Sequence, residues 1–176
     1  MIFMALCCDC GLIAKKIISP VANVVTEALH IPGGIATGFS LMFLIVAAYV
    51  LRIFGCATVM SVVQSILALS FGMVGSMGFL APLGYIIPGI AIDLCLYFSN
   101  KASSSPTYGI TAASVISSVC ACLVANIIVF RLSGIVLAVY VCVAATTGAI
   151  CSIPACILTE RLSSIHLSYS LSEEKS

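Results

Sequence analysis

Between Arg52 and Asp93 the chain carries no formally charged side chain. A run of that length holds two apolar segments of the size a bilayer needs, about 20 residues each. The whole composition points the same way. Of 176 residues, 62% are hydrophobic and 7% are charged, where a soluble domain carries about 25% charged residues. Mean hydropathy is +1.27. So few charges cannot build a water-facing surface, and the chain is expected to be an all-α integral membrane protein. At about 20 residues per span, it has room for about six transmembrane helices joined by short loops.

Punctuation places the six. The first is expected from near Met4 to near Leu29, with Pro20 kinking it. It has to begin before Lys15, since Ile17 to Leu29 is too short to span. Lys15 and Lys16 then either snorkel along their aliphatic stems or face protein. Pro32-Gly33-Gly34 forms a tight loop. The second span runs from Ala36 to Leu51 and the third from Phe54 to Phe71. Gly72, Gly75, Gly78 and Pro82 mark a flexible break before the fourth, Leu80 to Phe98. Asn100 to Thr107 is a polar loop, the fifth span runs from Tyr108 to Phe130, and the sixth from Ile135 to Leu158. Residues 1–158 thus form one six-helix transmembrane domain, and 159–176 a polar cytoplasmic tail. With both termini in the cytoplasm, every Lys and Arg except Arg131 lies inside, as the positive-inside rule requires. No cleavable signal peptide is recognisable: Met1 to Leu6 lacks basic residues, and the first helix would serve as the insertion signal.

Most of the ten cysteines fall within apolar runs, where Cys is a small apolar residue. Cys7-Cys8-Asp9-Cys10 is the exception, yet a metal there would need further ligands and a closed geometry. Small residues recur at four-residue spacing, including Cys7 and Gly11, Ala57, Ser61 and Ser65, and Ala144 and Gly148. Such faces let helices approach, either within one bundle or against another membrane protein.

Few polar groups lie inside the spans. Gln64, in mid-span, needs an interhelical hydrogen bond or a bound solute. Asp93 is costly in a membrane. It follows Pro88-Gly89, where an unwound turn would expose backbone acceptors beside the carboxylate. Asp93 either pairs with Lys15, Lys16 or a neighbouring helix end, or faces a solute cavity. Tyr85, Asn126 and Tyr140 are candidates to join Gln64 around an outward-facing pocket, the tyrosines supplying a flat apolar face and a polar tip. Nothing resembles an enzyme: there are no catalytic carboxylate pairs, no His pair for a metal, no Gly-x-Ser-x-Gly elbow and no Walker-type phosphate loop. No cofactor is called for, and the net charge of +1 gives no reason to bind nucleic acid.

The order of certain residues resembles a known family. Ile31-Pro32-Gly33-Gly34 precedes a helix containing Gly38. Gly55-Cys56-Ala57-Thr58, Val62-Val63-Gln64, Gly72–Gly78 and Tyr85-x-x-Pro88-Gly89-x-x-x-Asp93-Leu94 follow. This pattern resembles the substrate-binding (S) components of energy-coupling factor (ECF) vitamin transporters, nearest the branch for thiamine and hydroxymethylpyrimidine uptake. The resemblance implies a six-helix bundle in a prokaryotic cell membrane that captures a water-soluble vitamin or precursor from outside. Pro32, Gly33 and Gly34 would form a lid. It implies two kinds of partner, a transmembrane coupling (T) component and a pair of cytoplasmic ATPases, and an S component that topples within the membrane. The family's docking face carries Ala-x-x-x-Ala in the first helix; here the equivalent is Cys7-x-x-x-Gly11. Metal-specific relatives carry His as the second residue, whereas this chain has Ile2. A competing expectation is a stand-alone secondary carrier or channel with Asp93 as its coupling group. A third is an assembly subunit that binds no solute.

Overall fold

The computed structural model describes residues 2–29, 35–72, 80–101, 105–131 and 133–173, with backbone alone at 2, 3, 19, 21–29, 35–37, 106, 130 and 163–173. The described residues form helices and short connections, with no strand among them. Six helices follow one another: α1 (Ile2–Leu29), α2 (Ile35–Leu51), α3 (Cys56–Ser70), α4 (Ala81–Lys101), α5 (Pro106–Ala125) and α6 (Ile135–Glu173). A π-helical turn, Asn126–Phe130, extends α5. Among the described residues, three segments are long and apolar enough to cross a membrane: Ala81–Lys101, Thr107–Val129 and Ile135–Leu162. The 21 residues of α4 rise about 31 Å, close to the roughly 30 Å of a hydrocarbon core.

α2 is the hub. It packs against each of the other five helices, and Leu44, Ile45, Val46, Ala47 and Ala48 are consecutively buried. A helix that is apolar on every face and carries no charge suits an interior position. α1 and α3 pack on one side of it, and α4, α5 and α6 continue around it in chain order.

Polarity is inverted relative to a water-soluble bundle. Ile13 and Ile17 on α1, Ile66 on α3, Ile90 and Leu94 on α4, and Ile127, Ile150 and Ile153 beyond are exposed. Ser61, Gln64, Asp93, Ser114, Ser117, Asn126 and Ser152 are buried. An apolar perimeter around an interior that holds polar groups among its apolar side chains fits a membrane-embedded protein, because lipid rewards the first and the bundle must satisfy the second. Most buried hydroxyls do so locally. Ser61 donates to the Thr58 carbonyl at 2.7 Å, Ser65 to Val62 at 2.7 Å and Ser152 to Ala149 at 2.7 Å.

Two expectations change. α4 runs unbroken through Pro88 and Gly89. Both residues are buried, and a Cβ on Gly89 would overlap the Ser61 side chain and lie 3.0 Å from the Ala57 carbonyl oxygen. The pair is therefore a close-packing notch for α3 rather than an unwound turn. α1 runs as one helix from Ile2 to Leu29 with Pro20 inside it, close to the expected span. The sixth helix does not stop at Leu158 but reaches Glu173. No Gly or Pro follows Pro154 in that stretch, so no residue there forces a stop, and the Thr159 hydroxyl is tied to the Ala155 carbonyl at 2.8 Å.

A polar seam between α1, α3 and α4 as candidate functional site

The seam starts at the first turn of α3. Gly55 precedes that helix in a left-handed conformation, φ 87°, and has no side chain with which to cap it. The first backbone N–H groups of a helix have no partner within it. Asp93, past the middle of α4, supplies one. Its Oδ1 accepts from the Ala57 N–H at 3.1 Å, and its Oδ2 accepts from the Thr58 N–H at 2.8 Å and the Thr58 hydroxyl at 2.6 Å. A buried carboxylate is thus held by three donors at the positive end of a helix, where negative charge is favoured.

The next rung is Ser61 against Gly89. One turn further along α3, Gln64 is buried and its Nε2 donates to the Cys8 carbonyl of α1 at 3.3 Å. That contact needs Gly11: a Cβ there would lie 2.8 Å from the Gln64 Nε2. The last rung joins α1 to α4. Lys15 Nζ donates to the Tyr85 hydroxyl at 2.5 Å and sits 4.1 Å from the ring centroid, so it takes both a hydrogen bond and a cation–π contact. Thr58, Ser61 and Gln64 on α3, Asp93, Gly89 and Tyr85 on α4, and Cys8, Gly11 and Lys15 on α1 each follow the three-or-four-residue spacing of one helix face. The helices therefore bring one polar line from each together over about 12 Å of α4.

Of the sequence candidates, Gln64, Tyr85 and Asp93 join this seam. Asn126 and Tyr140 do not. Asn126 is buried at the start of the π turn, and Tyr140 is buried against Cys122 and Ala144 between α5 and α6. The pocket of four side chains expected around Gln64 is thus split between two regions. Cys7 and Gly11 are buried as well, with Gly11 facing Gln64, the Ser40 carbonyl and Phe43. The small-residue face expected to dock a partner is covered by the chain's own α2 and α3. Pro32, Gly33 and Gly34, the expected lid, lie outside the described residues.

Cys7 and Cys8 point into the core while Asp9 and Cys10 are exposed, because consecutive residues on a helix diverge. Among the described residues, no three His, Cys, Asp or Glu side chains gather as a metal site.

Beyond Asp93, at the end of the bundle where α2 finishes and α3 begins, lies a cavity of about 140 Å³. Asp93, Arg52, Tyr49, Tyr97 and Asn100 are among the residues lining it. The sequence marks Arg52 only as a boundary, and Lys15 as a snorkelling or protein-facing charge that could pair with Asp93; Lys15 meets Tyr85 instead, and Asp93 takes the alternative of a neighbouring helix end. The clue to the cap was available: a helix preceded by Gly55, with Asp93 on the neighbouring span. The Lys15–Tyr85 contact had no such local signal. No protein-family model, curated protein or solved structure matches this chain.

Proposed function

We propose that this chain is the solute-binding subunit of a membrane importer, an S component of the ECF type, and not a catalyst. In this reading all six helices span a prokaryotic plasma membrane, both termini are cytoplasmic, and ATP hydrolysis belongs to partner chains acting through a membrane coupling component. The solute is a water-soluble vitamin or precursor taken from outside.

The observation that carries the reading is the seam itself: an amide, a phenol and an ammonium aligned inside an apolar-walled bundle. Gln64, Tyr85 and Lys15 offer hydrogen-bond donors, an acceptor and an aromatic face to a small polar molecule. Asn126 and Tyr140 remain candidates for the far wall of the site, on the α5–α6 side. Lys15 narrows the chemistry. Its partner among the described residues is a neutral phenol, so the site holds positive charge. Such a site favours an acceptor-rich neutral or anionic solute, such as a pyrimidine precursor, over a permanently cationic vitamin such as thiamine.

The Asp93 geometry supports this reading over a stand-alone carrier coupled through Asp93. A coupling carboxylate must exchange partners during the cycle, whereas three donors fix this one to α3. The test is calorimetry on purified protein with candidate solutes, together with uptake in vesicles. Gln64→Leu and Lys15→Met are each expected to weaken solute binding at least about tenfold, the loss of one buried polar contact, while helix content is retained. Uptake is expected to require ATP and partner chains. Gradient-driven uptake by the chain alone, abolished by Asp93→Asn, would instead establish the carrier.

A further inference from the structure

The cavity below Asp93 is separate from the solute-contacting rungs of the seam and has its own chemistry. We infer that it holds a phosphate group, gripped by the Arg52 guanidinium. Arg52 ends α2 in the left-handed region, φ 52°, where its N–H closes the helix on the Ala48 carbonyl at 3.1 Å. Glycine is the usual residue in that conformation. Its side chain lines the cavity, is exposed and forms no ion pair or hydrogen bond among the described residues. Ser99 and Asn100, from the last turns of α4, add a hydroxyl and an amide. Tyr49 and Tyr97 flank them with phenols, and Leu96 and Ile53 supply apolar wall.

Asp93 also lines the cavity, but its two oxygens are turned to Ala57 and Thr58 at the positive end of α3, which offsets part of its repulsion of an anion. What remains open to a ligand is a planar fork of donors, which matches phosphate oxygens bidentately. Surroundings favour a lipid phosphate. Phe54, Tyr97 and Phe98 are exposed beside the cavity, with Phe54 and Tyr97 edge to face at 5.5 Å. Exposed aromatic rings next to an arginine at a bundle end are the makings of a headgroup-level site. The same donors would take a phosphate from a soluble molecule, so the experiment has to separate the two sources.

The full chain is purified in mild detergent, offered phosphatidylglycerol in mixed micelles, and its retained lipid is counted by native mass spectrometry. In parallel, inorganic phosphate is titrated while thermal unfolding is followed. The comparison variants are Arg52→Gln, Asn100→Leu and Arg131→Gln. Arg131 shares the left-handed backbone, φ 48°, but does not line this cavity. A lipid site predicts retained phosphatidylglycerol that falls about tenfold in Arg52→Gln, falls in Asn100→Leu, and is unchanged in Arg131→Gln. A soluble source predicts no retained lipid but a stabilisation by inorganic phosphate that Arg52→Gln abolishes. Asn100→Leu, on a different helix, keeps the test open if Arg52→Gln does not fold. Lipid and phosphate binding indifferent to Arg52 and Asn100, or no binding of either probe, overturns the proposal.

Discussion

Thr58 binds Asp93 twice, from its backbone N–H at 2.8 Å and from its hydroxyl at 2.6 Å, both to the same carboxylate oxygen. A residue of α4 thereby does for α3 what an N-cap side chain does for its own helix. The arrangement locks two antiparallel helices at one end of the bundle, and Gly89 lets them stay in contact one turn further in.

Removing the carboxylate should therefore cost stability before it costs transport. Asp93→Ala leaves two N–H groups at the start of α3 without their acceptor, at about 1–3 kcal/mol each in a buried setting. Asp93→Asn keeps the shape but loses the charge and one acceptor, and should fall between Ala and the native residue. Thermal unfolding in detergent checks this. Equal melting temperatures for all three proteins would mean that the cap does not hold the bundle together.

Gly11 and Gln64 should be coupled. Gly11→Ala puts a methyl 2.8 Å from the Gln64 amide nitrogen and pushes it from the Cys8 carbonyl, for about 1–3 kcal/mol. In a Gln64→Ala background the same methyl keeps only ordinary contacts, 3.4 Å from the Ser40 carbonyl oxygen and 3.7 Å from the Phe43 Cβ, and the cost should largely vanish. A double-mutant cycle with a coupling energy near zero would show that the two side chains do not meet.

The α5–α6 contact makes a stricter demand. A Cβ on Gly148 would lie 2.8 Å from the Ser114 carbonyl oxygen and 3.0 Å from the Val115 Cα, and Ser114 donates its hydroxyl to the Gly148 carbonyl at 2.8 Å. Backbone cannot rotate away as a side chain can. Gly148→Ala should destabilise by about 3 kcal/mol, at the upper end of overpacking costs, and no single side-chain truncation should rescue it.

Ser118 behaves oppositely. Its hydroxyl is buried without a hydrogen-bond partner among the described residues, so Ser118→Ala removes an unsatisfied group and should be neutral or slightly stabilising, by up to about 1 kcal/mol. A loss of stability would reveal a bound water or ligand at that hydroxyl.

The helices were legible because apolar runs, Pro32-Gly33-Gly34 and the polar stretch after Asn100 punctuate the chain. Gln64 and Asp93 stood out because a polar group in an apolar span must be satisfied. What the sequence concealed is pairing across helices. Tyr85 meets Lys15 and not Gln64, and nothing local to either residue says so. Asn126 and Tyr140 carry the same polar signature as Tyr85 but lie behind α5 and α6, since one sequence cannot fix how six helices are rotated against each other. Pro88-Gly89 misled for a related reason: the pair that breaks a lone helix also lets two helices touch, and packing against Ser61 keeps α4 whole.

If the seam around Gln64, Lys15 and Tyr85 holds a small solute, native mass spectrometry of gently purified protein should find it. The expected result is a retained molecule of vitamin size, one per chain, that disappears in Gln64→Leu and Lys15→Met while both variants keep their helix content. A retained molecule indifferent to both substitutions, or a protein that captures no candidate solute at any concentration tried, would contradict it.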